Sequence, residues 1–212
     1  MLRHLTRFAL AVVLVVAFVA ATTPFRFVLT LGDSLVAGGP ILAGSPNWTQ
    51  LLQSRRSTQD FSADNAGVGT YTVLQTHALF DAQYKGRGYT DAVILVGTNT
   101  LSAGTSGATT YAQILDLVNA LKADGFTTIA VCTIPPRGGS ASWDATKETQ
   151  RLAANDLIRA MTDVLVVDLE PVLGGTGSPL ELNVSYRSAD MLHLNGAGQV
   201  PVADAIDAVV DW

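Results

Sequence analysis

The stretch LTLGDSLVAGG, Leu29–Gly39, ends an apolar, β-branched run on a polar triplet and then opens into glycines. Read as a strand, Phe25–Leu31 has little polar alternation, the pattern of a strand covered on both faces. Asp33 and Ser34 then stand at its tip. Asp and Ser at such a place are common in turns and helix caps, and a serine there also suits a nucleophile. The choice between the two depends on whether other stretches supply partners.

Working outward, strand-like and helix-like segments alternate. Asn47–Arg55 reads as a short helix capped by Asn47, and Phe61–Asn65 as a second strand running into AGVG. Thr72–Tyr84 carries Val73, Leu74, His77 and Phe80 at helix spacing. Ala92–Val96, AVILV, is a continuous apolar run. Thr110–Asp124 reads as an amphipathic helix stopped by Gly125, and Phe126–Ile134 as a strand halted by Pro135 and Pro136. Trp143–Met161 is a long helix, Val164–Asp168 a strand and Gly196–Val210 a closing helix. This alternation predicts α/β architecture: a single three-layer α/β/α sandwich around a parallel sheet of about five strands. No repeat, linker or second domain interrupts residues 25–212.

Composition narrows the function classes. The chain has 212 residues, 48% hydrophobic and 15% charged, enough to bury a real core. A formal net charge of -5 and the lack of any Lys/Arg cluster argue against a nucleic-acid partner. Cys132 is the only cysteine. It excludes an intramolecular disulfide and a cysteine-rich zinc site, and its apolar surroundings make it a core residue. No metal or cofactor is suggested by the available ligands. G-x-S-x-G and G-x-G-x-x-G are both absent, against an α/β-hydrolase elbow and a dinucleotide fingerprint.

The N-terminus has its own character. Arg3 and Arg7 precede an apolar run, Phe8–Ala21, that closes on small residues. Its 14 residues fall short of the roughly 20 needed to span a bilayer, so residues 1–21 match a signal peptide. The expectation is a secreted or periplasmic protein cut near Ala21. An uncleaved membrane anchor is the rival, and membrane contact is expected only in that case. Removing Arg3 and Arg7 leaves 13 − 2 = 11 basic against 18 acidic residues.

In open parallel sheets, sites form where loops leave the carboxyl ends of strands. Gly32-Asp33-Ser34, Gly67 and Gly97-Thr98-Asn99 follow the first three strands, so three stretches converge on one edge. A serine nucleophile needs a base and a group to orient it. Of three histidines, His4 lies in the leader and His77 on a helix, where a structural role fits. His193, in SADMLHLNGAGQ, remains, with Asp190 three residues before it. Gly67, Asn99 and the N–H of Ser34 are of the types that stabilise an oxyanion.

GDSL at Gly32–Leu35, the glycine in NAGVG, GTN at Gly97–Asn99 and DMLH at Asp190–His193 together resemble the four blocks of the SGNH, or GDSL, hydrolase family. The likeness runs from about Phe25 to the C-terminus and includes TIPPR and VDLEPVL. It implies a flavodoxin-like fold and a serine esterase with Ser34 as nucleophile, His193 as base and Asp190 as its partner. It also implies Ser34, Gly67 and Asn99 as oxyanion donors, and no metal or cofactor. The family's third block commonly reads Gly-x-Asn-Asp; Thr100 here departs from it and bears on how the loop is held. Asp33 is expected to order the turn, and Trp48, Trp143 and Trp212 to pack.

The expected substrate is a small-molecule or carbohydrate ester with a short acyl group, because the loops near the site are rich in Gly, Ser and Pro. Ile41 and Leu42 would form one small apolar wall. Alternatives are an O-acetyl esterase or acyltransferase acting on a polysaccharide or peptidoglycan, a lipase or lysophospholipase, and a non-catalytic binding domain. Oligomeric state is not legible.

Overall fold

The computed structural model describes residues 25–39, 45–56 and 60–212. The leader reading of residues 1–21, His4, and the wall formed by Ile41 and Leu42 all lie outside the described residues. Five strands form one wholly parallel sheet in the order β2-β1-β3-β4-β5. They are β1 (Arg26–Gly32), β2 (Phe61–Gly67), β3 (Asp91–Leu95), β4 (Thr128–Cys132) and β5 (Leu165–Val167).

Period-two alternation inside these strands explains why helices cover both faces. Leu29 and Leu31 of β1 and Ala92 and Ile94 of β3 face one core; Val28, Val93 and Leu95 face the other. The first face is covered by α3 (Val73–Leu79), α4 (Thr98–Ser102), α5 (Gly107–Ala123) and α6 (Ala145–Arg159). The second is covered by α1 (Ser34–Ala37), α2 (Trp48–Arg55), α7 (Glu170–Leu173) and α8 (Gly196–Asp207). A strand wetted on neither side must be apolar on both, which is the pattern AVILV shows.

Caps set several helix starts. Asn47 with Gln50 and Thr72 with Gln75 form reciprocal capping boxes. Ser106, Asp144 and Asn195 each accept a first-turn N–H of α5, α6 and α8. Two of these caps correct expected helix starts. The fifth helix begins at Gly107, three residues before the expected Thr110, because Ser106 caps it and Gly107 lies against Gln150. The sixth begins after Asp144, leaving Trp143 outside it. The expected helix Thr72–Tyr84 ends as α at Leu79 and continues as a π-turn, Phe80–Tyr84.

Trp48 and Trp143 are buried, and Trp212 meets Phe61 edge-on at 5.2 Å. Cys132 is buried, and burial pushes its thiol pKa up. Among the described residues, no helix is long and apolar enough to cross a membrane.

Candidate active site

Ser34 sits at the first position of α1, directly beyond β1. Asp33 caps that helix, its Oδ1 accepting the Leu35 N–H at 2.9 Å. Asp33 therefore orders the turn, as expected. It is 1% exposed, and its Oδ2 has no hydrogen-bond partner. Burial pushes its pKa up to about 6, against the opposing pull of the Leu35 N–H, His193 and Arg137.

Ser34 Oγ lies 2.9 Å from His193 Nε2, and His193 Nδ1 lies 2.6 Å from Asp190 Oδ2. Ser34 and His193 are 159 residues apart in sequence. Asp190 and His193 share a tight loop closed by Ser188 N–H donating to His193 O at 2.7 Å. Within it Asp190 Oδ1 accepts the N–H groups of Leu192 and His193, each at 3.0 Å. That double acceptance holds Met191 at φ +59°, a conformation unusual for a side chain of its kind. Burial acts to raise the Asp190 pKa. The His193 and Leu192 N–H groups and the imidazole outweigh it and hold the carboxyl down at about 2. Asp190 is thus an anion throughout the neutral range.

Gly39, at φ +50°, brings the loop after α1 against the imidazole. A Cβ there would stand 2.8 Å from His193 Cδ2. Only glycine allows that contact on this backbone.

Asn99 is the second residue of α4, and its Nδ2 donates to Tyr71 O at 3.0 Å. One amide hydrogen is thereby fixed and the other left for a ligand. Thr100, the departure from the family pattern, is buried and accepts the Val73 N–H with Oγ1 at 3.0 Å. The two bonds tie α4 to the loop between β2 and α3 and to the first residue of α3. The loop therefore has side-chain support at residue 100, although the residue is not an Asp.

Gly67 differs from expectation. Its N–H donates to Asn65 Oδ1 at 2.9 Å, an Asx-type turn, and is already engaged. A Cβ at Gly67 would stand 2.2 Å from Ala37 N, so glycine is needed there for packing against α1. The signal was present in the sequence: an Asn two residues before the glycine. On the same loop, the N–H groups of Gly69 and Thr70 make no hydrogen bond among the described residues, and Thr70 has φ +69°. The Ser34 N–H is likewise unengaged.

His77 pairs loosely with Asp81 at 3.6 Å on α3 and the π-turn. Among the described residues no His/Cys/Asp/Glu cluster could hold a metal. Sequence reading gave no role to Arg137, which follows β4; its guanidinium is electrostatically coupled to Asp33 and Asp190.

Chemically, the arrangement can deprotonate a serine through an oriented imidazole, beside amide and backbone donors. The GDSL-like Lipase/Acylhydrolase family matches residues 30–200. No curated protein matches. Among solved structures, the lipase/acylhydrolase from Enterococcus faecalis is similar at 18% identity and TM-score 0.68, covering 85% of this chain and 93% of its own. A GDSL-like lipase from Bacteroides thetaiotaomicron is similar at 18% identity and TM-score 0.65, with 85% of each chain covered. An esterase from a Pseudoalteromonas species is 20% identical at TM-score 0.63, covering 84% of this chain and 93% of its own. At such identities these three likenesses speak for the fold.

Proposed function

The chain belongs to the GDSL-like lipase/acylhydrolase family and is a carboxylic ester hydrolase, and from that premise we propose that it cleaves short-chain esters through an acyl-enzyme on Ser34. The observation that carries this reading is the continuous chain Ser34 Oγ–His193–Asp190, at 2.9 and 2.6 Å. His193 Nε2 takes the Ser34 proton as Oγ attacks the ester carbonyl. Asp190 fixes the tautomer and stabilises the imidazolium. The tetrahedral oxyanion is met by the Ser34 N–H and the free Asn99 amide hydrogen. A third donor comes from the β2–α3 loop, where the Gly69 and Thr70 N–H groups are open while that of Gly67 is not. His193 then protonates the leaving alcohol, and water repeats the sequence on the acyl-enzyme.

The short-acyl preference rests on the loops around Ser34. The segments 101–106 and 137–144 are short and rich in Gly, Ser and Ala, with no added helix that could close as a lid. Each further buried methylene is worth about 0.8 kcal/mol only where there is wall to bury it. The leader reading also stands as a proposal: export, with cleavage near Ala21. A retained leader would instead hold the domain close to the bilayer.

A panel of nitrophenyl esters tests the reading. kcat/KM should peak between acetyl and butyryl and fall by octanoyl, and Ser34→Ala should remove nearly all of it while the fold persists. A maximum at dodecanoyl would point to a lipase or lysophospholipase. Product transfer to added sugar alcohols, in place of hydrolysis, would point to an acyltransferase.

A further inference from the structure

Arg137 is held in place without being neutralised. It follows Pro135-Pro136 beyond the end of β4, a strand that lies two places, roughly 10 Å, along the sheet from β1. Its guanidinium lies over the Trp143 ring at 5.2 Å from the centroid, and its Nη1 donates to Ser102 Oγ on α4. Trp143 is itself pinned, its Nε1 donating to Glu148 Oε2 at 3.0 Å, and Glu148 is pinned by Arg151. The neighbouring loop touches the loop that carries His193: a Cβ at Gly139 would stand 3.1 Å from Met191 Sδ.

The other half-buried or buried arginines among the described residues each have a carboxylate within 4.0 Å: Arg26, Arg56, Arg151, Arg159 and Arg187. Arg137 has none, and among the described residues its enclosed Nε has no hydrogen-bond partner and its Nη2 bonds to nothing. The nearby acids do not absorb it. Asp33 Oδ2 also lacks a partner, so the two charges influence each other without a bond. Asp190 has both oxygens engaged by its own loop. A guanidinium that is stacked, oriented and left without an anion, on a loop that meets the loop of His193, is the arrangement that receives one.

We propose that Arg137 is a specificity residue that binds an oxyanion substituent, a carboxylate or phosphate, on the alcohol portion of the ester. The alcohol side follows from the short-acyl reading above, on which this step rests. An acidic chain of net charge -5 repels anions in general, so a local cation at the crevice decides which anionic esters approach.

Three acetates of one geometry test this: 3-acetoxybenzoate, 3-acetoxyphenyl phosphate and the neutral 3-acetoxybenzamide. At low salt, kcat/KM should favour at least one anion over the amide by about tenfold or more, in line with a charge-assisted bond. The stronger of the two anions names the group. In Arg137→Met that ratio should collapse toward unity, and Arg137→Lys, which keeps charge but not the fork, should recover part of it. Circular dichroism confirms folding of both. Calorimetric binding of the product anion 3-hydroxybenzoate reads the same contact without turnover, and should weaken by a similar factor in Arg137→Met. A ratio near unity in the wild type, or a parallel loss on all three acetates with the ratio and the product affinity unchanged, overturns the proposal. If the wild type hydrolyses none of the acetates, the esterase reading fails, and the calorimetric comparison alone decides the role of Arg137.

Discussion

Two polar systems in the molecule are built on opposite terms. Around α6, Arg151 is fully buried and donates from Nε and Nη2 to Glu148, and from Nη1 to Glu170 and Ile134 O. Asn155 takes up both polar groups of Ile134, accepting its N–H at 2.7 Å and donating to its O at 3.0 Å. Around Ser34 the reverse holds. The Ser34, Gly69 and Thr70 N–H groups, one Asn99 hydrogen, Asp33 Oδ2 and Arg137 Nη2 have no partner among the described residues. A satisfied network fixes structure, whereas the open N–H donors gathered at one sheet edge await a ligand. The first system also supports the second, because Ile134 anchors the base of the loop that ends in Arg137.

Exchanging one arginine from each system tests that difference. Arg151→Met removes the partner of a buried carboxylate and should cost about 3–5 kcal/mol of stability. Arg137→Met breaks no ion pair and should stay within about 1 kcal/mol. Urea unfolding of both variants checks this. Equal losses would mean that Arg137 is as structural as Arg151 and that the contrast is false.

A smaller effect separates a donor from a support. Asn99→Ala should lower kcat by about 10²–10³-fold with little change in KM, the loss typical of one oxyanion donor. Steady-state kinetics on a nitrophenyl acetate measures it. A near-normal kcat would leave Asn99 only its bond to Tyr71 O, and would move it into the structural class.

The fold was legible because apolar runs such as AVILV declare strands buried on both faces, and caps such as Asn47 sit beside the helices they start. Ser34, Asn99, Asp190 and His193 stood in recognisable blocks, and the structure brings Ser34, His193 and Asp190 into one hydrogen-bonded chain. Other features were hidden for physical reasons. The start of α5 was missed because Gly107 is a poor helix former, placed there by its close approach to Gln150 O. The engaged N–H of Gly67 depends on a side chain two residues away, which block matching ignores. Arg137 and Arg151 are both single arginines near prolines or acids in the sequence. Only three-dimensional contact reveals that one is paired and the other is not.

The last test concerns Asp33, the carboxylate that stands between the two systems in character. It caps α1 like a structural acid, yet one of its oxygens has no partner. Its pKa rises from the usual 3.8 to about 6 because it is buried. The folded chain therefore binds a proton that the unfolded chain has already released between about pH 4 and 6. Stability follows the difference in bound protons, so the contribution of Asp33 is complete below pH 4 and falls as pH rises to 6. A difference of about 2 pH units corresponds to about 3 kcal/mol. Asp33→Asn keeps an oxygen for the Leu35 N–H and cannot ionise. Subtracting its unfolding free energy from that of the wild type across pH 3.5–7.5 cancels the other acids. The difference should drop by about 3 kcal/mol between pH 4 and 6 and stay flat above. A difference that rises with pH would mean that Asp33 is an ion held by Arg137. The guanidinium would then already have its anion, and the crevice would belong with the satisfied network around α6.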